Sequence, residues 1–482
     1  MISLFGRKFA AAQFGIYRAE WDLEAEPAAD PMPAVTALIT NQLQFHGLAL
    51  SPELDEALTA ASDTFEAREL KRLQAQAGGI PVEQMQQLVG AALQSLQGWH
   101  AARATNDFNK LIEPFSQLIA LLRPVAARRA DNLSKLYGRN VTPYEALIDS
   151  YDSGRRLDFI KAEFAKLVPV CQTLLKKSKP GLPILPGHGN YSIEAQAQLA
   201  QDVITAMGYD AQPPAGRFGT SAHPLCRRVA AGEVWLTNNY ADQSPLAALL
   251  TIVHEGGHAR YYQSLARTFD DSWSGMVAGE SLNEGMALLA EHLLARRPAF
   301  ARYVAPKLSR AFGVEVGAEA LNAEWLRIER DPIRSTAGEV VYPLHLILRT
   351  EIEEALINGG LEPADLPAAW NRRSTELLGI TPGSDNEGCL QDIHLFAGYI
   401  GYFPCYLLGH MAAAQLWPAI ERDLPELDDQ IAEGDFAALN GWLTTHVYSQ
   451  GRTSSPDAII EGASGQPFAA DALIAHLQAR YG

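Results

Sequence analysis

Along most of the chain, apolar residues return every three to four positions, the spacing that gathers them on one stripe of an α-helix. Pro81-Val82-Glu83-Gln84 reads as a helix start with proline in the first turn, and Leu88, Ala91, Ala92, Leu93 and Leu96 then keep the helical period. The surrounding stretch, 54–135, is rich in Ala, Leu, Gln, Glu and Arg and is broken at Gly78-Gly79 and Pro81. Residues 158–176 read as another amphipathic helix, kinked or restarted at Pro169, whose ring removes a backbone donor. Strand patterning is rare. Its best case is Gly232-Glu233-Val234-Trp235-Leu236-Thr237-Asn238-Asn239, just before a long helix starting near Ser244-Pro245. Lys179-Pro180-Gly181-Leu182-Pro183 and Pro186-Gly187 form a linker signal, which places a boundary near residue 185. From Asn322 onward helical periods alternate with Gly and Pro punctuation, and no internal repeat is present.

Composition narrows the classes. Of 482 residues, 47% are hydrophobic and 20% charged, enough apolar material for a large core and too much for a disordered chain. The formal charge of 39 − 56 = −17 argues against a nucleic-acid partner, which needs a basic face. Cys171, Cys226, Cys389 and Cys405 form no CxxC pair, so buried reduced thiols are expected rather than a zinc ribbon or a disulfide scaffold. The apolar stretch Phe9 to Tyr17 is interrupted by Gln13 and closed by Arg18, unlike a signal peptide. No apolar run approaches the roughly 18 residues of a membrane span. A cytoplasmic protein without a membrane partner is expected.

The sharpest local pattern is His254-Glu255-Gly256-Gly257-His258, at the end of the apolar run Leu246 to Val253. Two histidines four apart share a helical face and can present both imidazoles to one metal ion. Glu255 is rotated by one residue step, about 100°, and can reach a water on the metal rather than the metal itself. Two neutral donors, one carboxylate base and an open coordination position are what metal-assisted hydrolysis requires. Gly256 and Gly257 each weaken a helix by about 1 kcal/mol relative to alanine, which suggests close approach by another backbone or a ligand. A third ligand is needed. Glu280, Glu284 and Glu291 are the candidates, and their spacing puts all three near one helical face.

The words Asn283-Glu284-Gly285-x-Ala287 resemble the ligand helix of glutamate-type zinc peptidases. This selects Glu284 as ligand and leaves Glu280 and Glu291 to support the ligands or line a polar face. The chain as a whole resembles the thermostable carboxypeptidase Taq family of zinc metallocarboxypeptidases. The interval from His258 to Glu284 is 284 − 258 = 26 residues, as in that family. Gly388-Cys389-Leu390-Gln391-Asp392-Ile393-His394 matches the family's Gly-x-x-Gln-Asp-x-His. The stretch from Glu339 to Arg349 and Gly401-Tyr402-Phe403-Pro404 also resemble it, and Gly451-Arg452 and Ser455-Pro456 fit more loosely. The resemblance covers roughly residues 140 to 482, and about the first 130 are recognisable only as helical.

The resemblance implies a mostly α fold: a large helical peptidase with two subdomains flanking a deep active-site cleft and a small β-hairpin or sheet near the metal. With the linker signal, the expected parts are an N-terminal helical subdomain, 1–185, and a catalytic one, 186–482, in one continuous fold. The expected activity is release of C-terminal amino acids from peptides by a zinc-bound water, with Glu255 as general base; cobalt or manganese could replace zinc. A homodimer is implied. His394, Tyr402 and Tyr406 are candidate donors to the oxyanion. Arg334, Arg349 and Arg452 are candidates for the terminal carboxylate, whose geometry a guanidinium matches. His223 joins them as a substrate-binding candidate, in the segment that answers to the family's His-Pro-Phe. The alternatives are an endo-acting or oligopeptide-specific peptidase on the same fold and a non-catalytic peptide binder. The second has no use for Glu255.

Five departures from the family pattern matter. His-Pro-Phe becomes His223-Pro224-Leu225, and Asp-x-Arg-x-Thr becomes Glu233-Val234-Trp235-Leu236-Thr237. Ile-Arg-x-x-Ala-Asp ends in Gly338, the residue before the ligand glutamate is Asn283 where histidine is usual, and Leu395 stands for a tryptophan. Trp235 is expected to keep the groove wall sterically while removing charge-assisted hydrogen bonds, so exo-cleavage survives with altered preference. The competing expectation is that Trp235 packs under the hairpin.

Overall fold

Why the chain is helical is visible at the helix starts. Thr64, Thr142, Ser192 and Ser455 each accept a hydrogen bond from a backbone N–H of the first turn they precede, a cap worth about 1 kcal/mol. The computed structural model describes all residues except 1–3, 29, 62–63, 179–182, 186–190, 241–243 and 270–272, with only the backbone of 4 and 266–268. Twenty α-helices and one three-stranded sheet form among the described residues. The expected mostly α architecture with a small sheet is therefore observed. Most of the linker signal, 179–182 and 186–187, lies outside the described residues.

Two compact units divide the chain. The first gathers Met1–Gln42, Lys179–Arg327 and Gly409–His476; the second gathers Leu43–Ser178, Ile328–Leu408 and Leu477–Gly482. The expected linear boundary at residue 185 lies near one crossing, Ser178 to Lys179, and four further crossings interleave the units.

In the first unit, strands β1 (Gly216–Thr220), β2 (Cys226–Ala230) and β3 (Glu233–Asn238) pair in the order β1-β3-β2. β1 runs parallel to β3, and β2 pairs antiparallel with it through a bulge between Arg228 and Ala230. The alternation in the sequence located β3 alone. β1 and β2, GRFGT and CRRVA, carry glycines and arginines where strand formers would signal them. Both faces of β3 are buried: Val234 and Leu236 on one, Trp235 and Thr237 on the other. Its last residue reaches the helix Pro245–Phe269, Asn238 Nδ2 donating to the Ala248 carbonyl at 2.9 Å.

The second unit is built from long helices, among them Val82–Thr105, Asn109–Tyr137, Leu157–Leu174 and Tyr342–Asn358. Pro81 is the N-cap of its helix rather than a first-turn residue. The helix Leu157–Leu174 runs through Pro169 without the expected restart. Trp99 and Arg103 both donate to the Leu390 carbonyl at 2.9 Å, tying the loop that carries Gln391 and Asp392 to the helix Val82–Thr105.

Candidate metal centre

The helix Pro245–Phe269 begins where Ser244 Oγ accepts the Ala247 N–H at 3.2 Å. Its first turns bury Leu246, Leu249, Ile252 and Val253, which fixes its rotation and orients the histidine pair one turn later. The next ligand-bearing helix, Glu280–Leu288, crosses it at Gly257. A β-carbon there would lie 2.6 Å from Ala287 Cα and from the Met286 carbonyl oxygen. The close approach that the paired glycines suggested is thus a backbone. On the other side of the ligand helix, Gly409 admits the chain so closely that a β-carbon would meet Glu284 at 2.9 Å.

His254 Nε2 and His258 Nε2 lie 3.7 and 3.6 Å from Glu284 Oε2, and the three ligand atoms fall within 4.8 Å of one another. These separations suit ligands about 2 Å from one ion. The outer nitrogens are held from behind. His254 Nδ1 meets Glu291 Oε2 at 3.1 Å, and His258 Nδ1 meets Asn283 Oδ1 at 3.0 Å. With both Nδ1 atoms engaged, the Nε2 lone pairs are the ones presented inward, so the donor set fits a divalent ion.

Each support is itself anchored. Arg296 donates to Glu291 at 3.2 Å, and Asn283 Nδ2 donates to the Tyr262 hydroxyl at 3.0 Å and to Glu280 at 2.9 Å. All three candidate glutamates therefore join one network, Glu284 in the ligand set and Glu280 and Glu291 behind it. Asn283, a departure from the family pattern, orients His258. Arg296 and Tyr262 were missed because no local spacing marks them. Glu291 sits in a π turn, Leu289–Leu294, that continues the ligand helix; Ala295 N–H bonds the Ala290 carbonyl at 2.9 Å.

Charge follows this asymmetry. Burial lowers the His254 imidazole, but the hydrogen bond and charge of Glu291 outweigh it and raise the pKa to about 9, so an ion at Nε2 would displace a proton there. His258, buried and beside His254, falls to about 3 and stays neutral. Burial also opposes ionisation of Glu291, yet His292, His254 and Arg296 hold its carboxyl well below the usual range. Burial raises the Glu255 carboxyl. Glu255 stays outside the convergent set of donor atoms.

A second constellation lies in the other unit. Asp392 is gripped by Arg334, Nη2 at 2.7 Å, and by Arg349, Nε at 2.5 Å. Burial opposes the Asp392 charge, but the two guanidiniums hold its pKa well below the usual carboxylate range. Arg349 is fully buried. Its other nitrogens bond the His345 carbonyl at 3.0 Å and Gln391 Oε1 at 2.7 Å, so it braces the loop from within the core. Arg334 also lies over the Tyr406 ring, 5.2 Å from its centroid. His394 Nε2 is 3.3 Å from the Tyr406 hydroxyl, and the Tyr402 and Tyr406 rings meet at 5.2 Å. His394, Tyr402, Tyr406, Arg334 and Arg349 are thus brought together.

The remaining candidates lie in the first unit. His223, in the β1–β2 loop, accepts the Ser221 hydroxyl on its carbonyl at 2.6 Å. The Arg452 guanidinium lies 4.4 Å from the Trp273 ring centroid. Trp235 packs with Trp21, Leu225 and Val229 in one buried cluster, between the guanidiniums of Arg18 and Arg217 at 4.6 and 4.9 Å. The expected steric wall at Trp235 is therefore corrected: the side chain is core, pairing with the helix Leu4–Glu24. Two departures, Leu225 and Trp235, are one packing unit.

A histidine pair on one helix, a carboxylate from the next and an adjacent unligated glutamate define a metal-dependent hydrolase on a mostly helical scaffold. Residues 37–481 match the family described as carboxypeptidase Taq (M32) metallopeptidase, and the chain belongs to it. It is a metallocarboxypeptidase, hydrolysing peptides from the C-terminus with a metal ion. Carboxypeptidase 1 of Bacillus subtilis is 30% identical over 83% of this chain and 79% of its own. Thermostable carboxypeptidase 1 of Thermus thermophilus is 29% identical over 89% and 85%. The solved structure of Trypanosoma cruzi metallocarboxypeptidase 1 covers 99% of this chain and 98% of its own at a TM-score of 0.87 and 28% identity. Among the described residues, no helix is long and apolar enough to cross a membrane.

Proposed function

We propose that the ion is zinc, held by His254 Nε2, His258 Nε2 and Glu284, and that Glu255 is the general base. The observation that carries this is the convergence of the three ligand atoms, with Glu255 one residue round the same helix. Two imidazoles and a carboxylate are a common donor set for catalytic zinc, and cobalt or manganese suits the same atoms. Such an ion, when bound, supplies Lewis acidity toward a peptide carbonyl and makes water a stronger acid. Glu255 takes a proton from the attacking water and returns it to the leaving amine. His254 and His258 stay in place because Glu291 and Asn283 hold their Nδ1 atoms.

His394, Tyr402 and Tyr406 are assigned as donors to the substrate, supported by their mutual contacts and by the motifs that carry them. Arg334 is assigned to the terminal carboxylate. Its Nε and Nη2 hold Asp392, which leaves Nη1 uncommitted among the described residues. The four cysteines are buried free thiols, which supports a reducing, cytoplasmic setting.

The test compares one peptide as free acid and as C-terminal amide, with products followed by mass. Stepwise loss from the acid, a much slower amide, and a gap between them that narrows in Arg334→Ala are expected. Internal cuts in both peptides at equal rates would instead favour endo-cleavage.

A further inference from the structure

The helix Tyr342–Asn358 buries three ionisable side chains one turn apart, His345, Arg349 and Glu353. A core-facing stripe is ordinarily apolar, because buried charge is costly unless it is bonded. His345 is accounted for by the Asp331 carbonyl, 2.9 Å from its Nε2, and Arg349 by Asp392 and Gln391. Glu353 is fully buried and has no ion-pair partner among the described residues. Its Oε2 accepts the Tyr144 hydroxyl at 2.7 Å and the Gly401 N–H at 3.0 Å. Its Oε1 is buried without a hydrogen-bond partner among the described residues.

Both donors control where Tyr402 sits. Tyr144 belongs to the helix Pro143–Asp149. Gly401 rests on that same helix at a φ of +97°, and a β-carbon there would lie 2.8 Å from the Leu147 carbonyl carbon and 2.9 Å from the Ile148 nitrogen. The next residue, Tyr402, sets its ring edge-on to Tyr151 at 5.1 Å and to Tyr406 at 5.2 Å. The turn that leads into the tyrosine pair is therefore held between a helix backbone and one carboxyl oxygen.

We propose that Glu353 is a positioning residue for peptide hydrolysis, fixing the Tyr402 and Tyr406 hydroxyls by joining the Gly401 turn to the Tyr144 helix. This rests on the assignment of those tyrosines to the reaction. The groups around Glu353 are few. Tyr144 and the Gly401 amide face it, and Arg349 stands one turn back, committed to Asp392. Glu354 and the Cys405 thiol lie near Tyr144, and Glu354 is drawn to Lys161 at 2.9 Å. Burial outweighs them all and pushes the Glu353 carboxyl up to about 8. Both donors aim at Oε2 and would hold a carboxylate at least as firmly as the acid, so it is the acceptor oxygen, in either form, that joins the turn to the helix.

The test measures kcat and KM with metal-loaded enzyme and a free-acid peptide. Glu353→Gln keeps the shape and an acceptor but cannot ionise. It should hold kcat within about threefold of the parent, rescuing what an apolar residue at this position loses. Glu353→Leu removes the acceptor, and should lower kcat about tenfold or more with KM and metal content near parental. Near-UV circular dichroism should report the displaced tyrosines. Parental kcat in Glu353→Leu overturns the proposal; if that variant fails to fold, Tyr144→Phe, which removes one of the two donors, decides it, and a parental kcat and near-UV spectrum there overturn it. Tyr402→Phe and Tyr406→Phe separate the two readings. Parental kcat in both removes the tyrosine assignment and this proposal together. Loss in either, with Glu353→Leu at the parental kcat, removes only this one.

Discussion

The metal set of the first unit and the arginine–tyrosine set of the second bury polar groups in opposite ways. Around His254, His258 and Glu284, every supporting bond is made from behind, and three ligand atoms are left facing one another. Around Asp392, two guanidiniums close on one carboxylate, and little remains uncommitted beyond the Arg334 Nη1 edge and the tyrosine rings. The first arrangement keeps capacity for an exogenous partner. The second uses charge to fix the path of a loop. Losses at the metal set should therefore appear as lost metal or lost chemistry, and loss of the Asp392 anion as lost stability.

The largest effect is expected for Glu284→Gln. Turnover should fall to background and metal content, measured by elemental analysis, should fall with it, while the far-UV spectrum stays parental. A metal-replete, active variant would transfer the ligand role to Glu280 or Glu291. Next comes Glu255→Gln, which should keep its metal yet lose about 10²–10⁴ in kcat, since an amide cannot take the proton. A parental rate would remove Glu255 as base.

Asp392→Asn carries the comparison into the second unit. It leaves two buried guanidiniums without their anion, and should cost about 3–5 kcal/mol in denaturant unfolding with metal content unchanged. Because the folded pKa of Asp392 is depressed, this contribution is present above the usual carboxylate range and fades as pH falls through its folded value. If Asp392→Asn is as stable as the parent but inactive, the carboxylate serves chemistry and the contrast between the units fails. The smallest effect is expected from Glu291→Gln, about 10–100-fold weaker metal binding in a chelator competition, with the metal-saturated rate near parental.

What the sequence made legible follows the same division. His254, Glu255, His258 and Glu284 lie on helices, where spacing of four and a matched interval translate directly into geometry. The long helices of the second unit were legible for the same reason. The role of Asn283 was not, because its partners Tyr262 and His258 come from another helix. Arg349, a candidate for the terminal carboxylate, is buried against Asp392. Guanidiniums that clamp a ligand and guanidiniums that clamp Asp392 look alike until burial is known. Trp235 was misread through its motif position, since the partner that takes it into the core, Trp21, lies in the stretch where only helical pattern could be read. β1 and β2 escaped because their order follows from pairing with β3, not from their own composition.

The π turn at Leu289–Leu294 bears on how this chain can change length. A π turn holds one more residue than the α turn it replaces, and Glu291, the carboxylate that reaches His254, sits inside it. Deleting one residue ahead of Glu291, Leu289 or Ala290, would swing everything beyond it by about 100°. Insertions and deletions accumulate readily in loops, but at this point even a single-codon loss would leave all three ligands in place and detach the side chain that orients one of them.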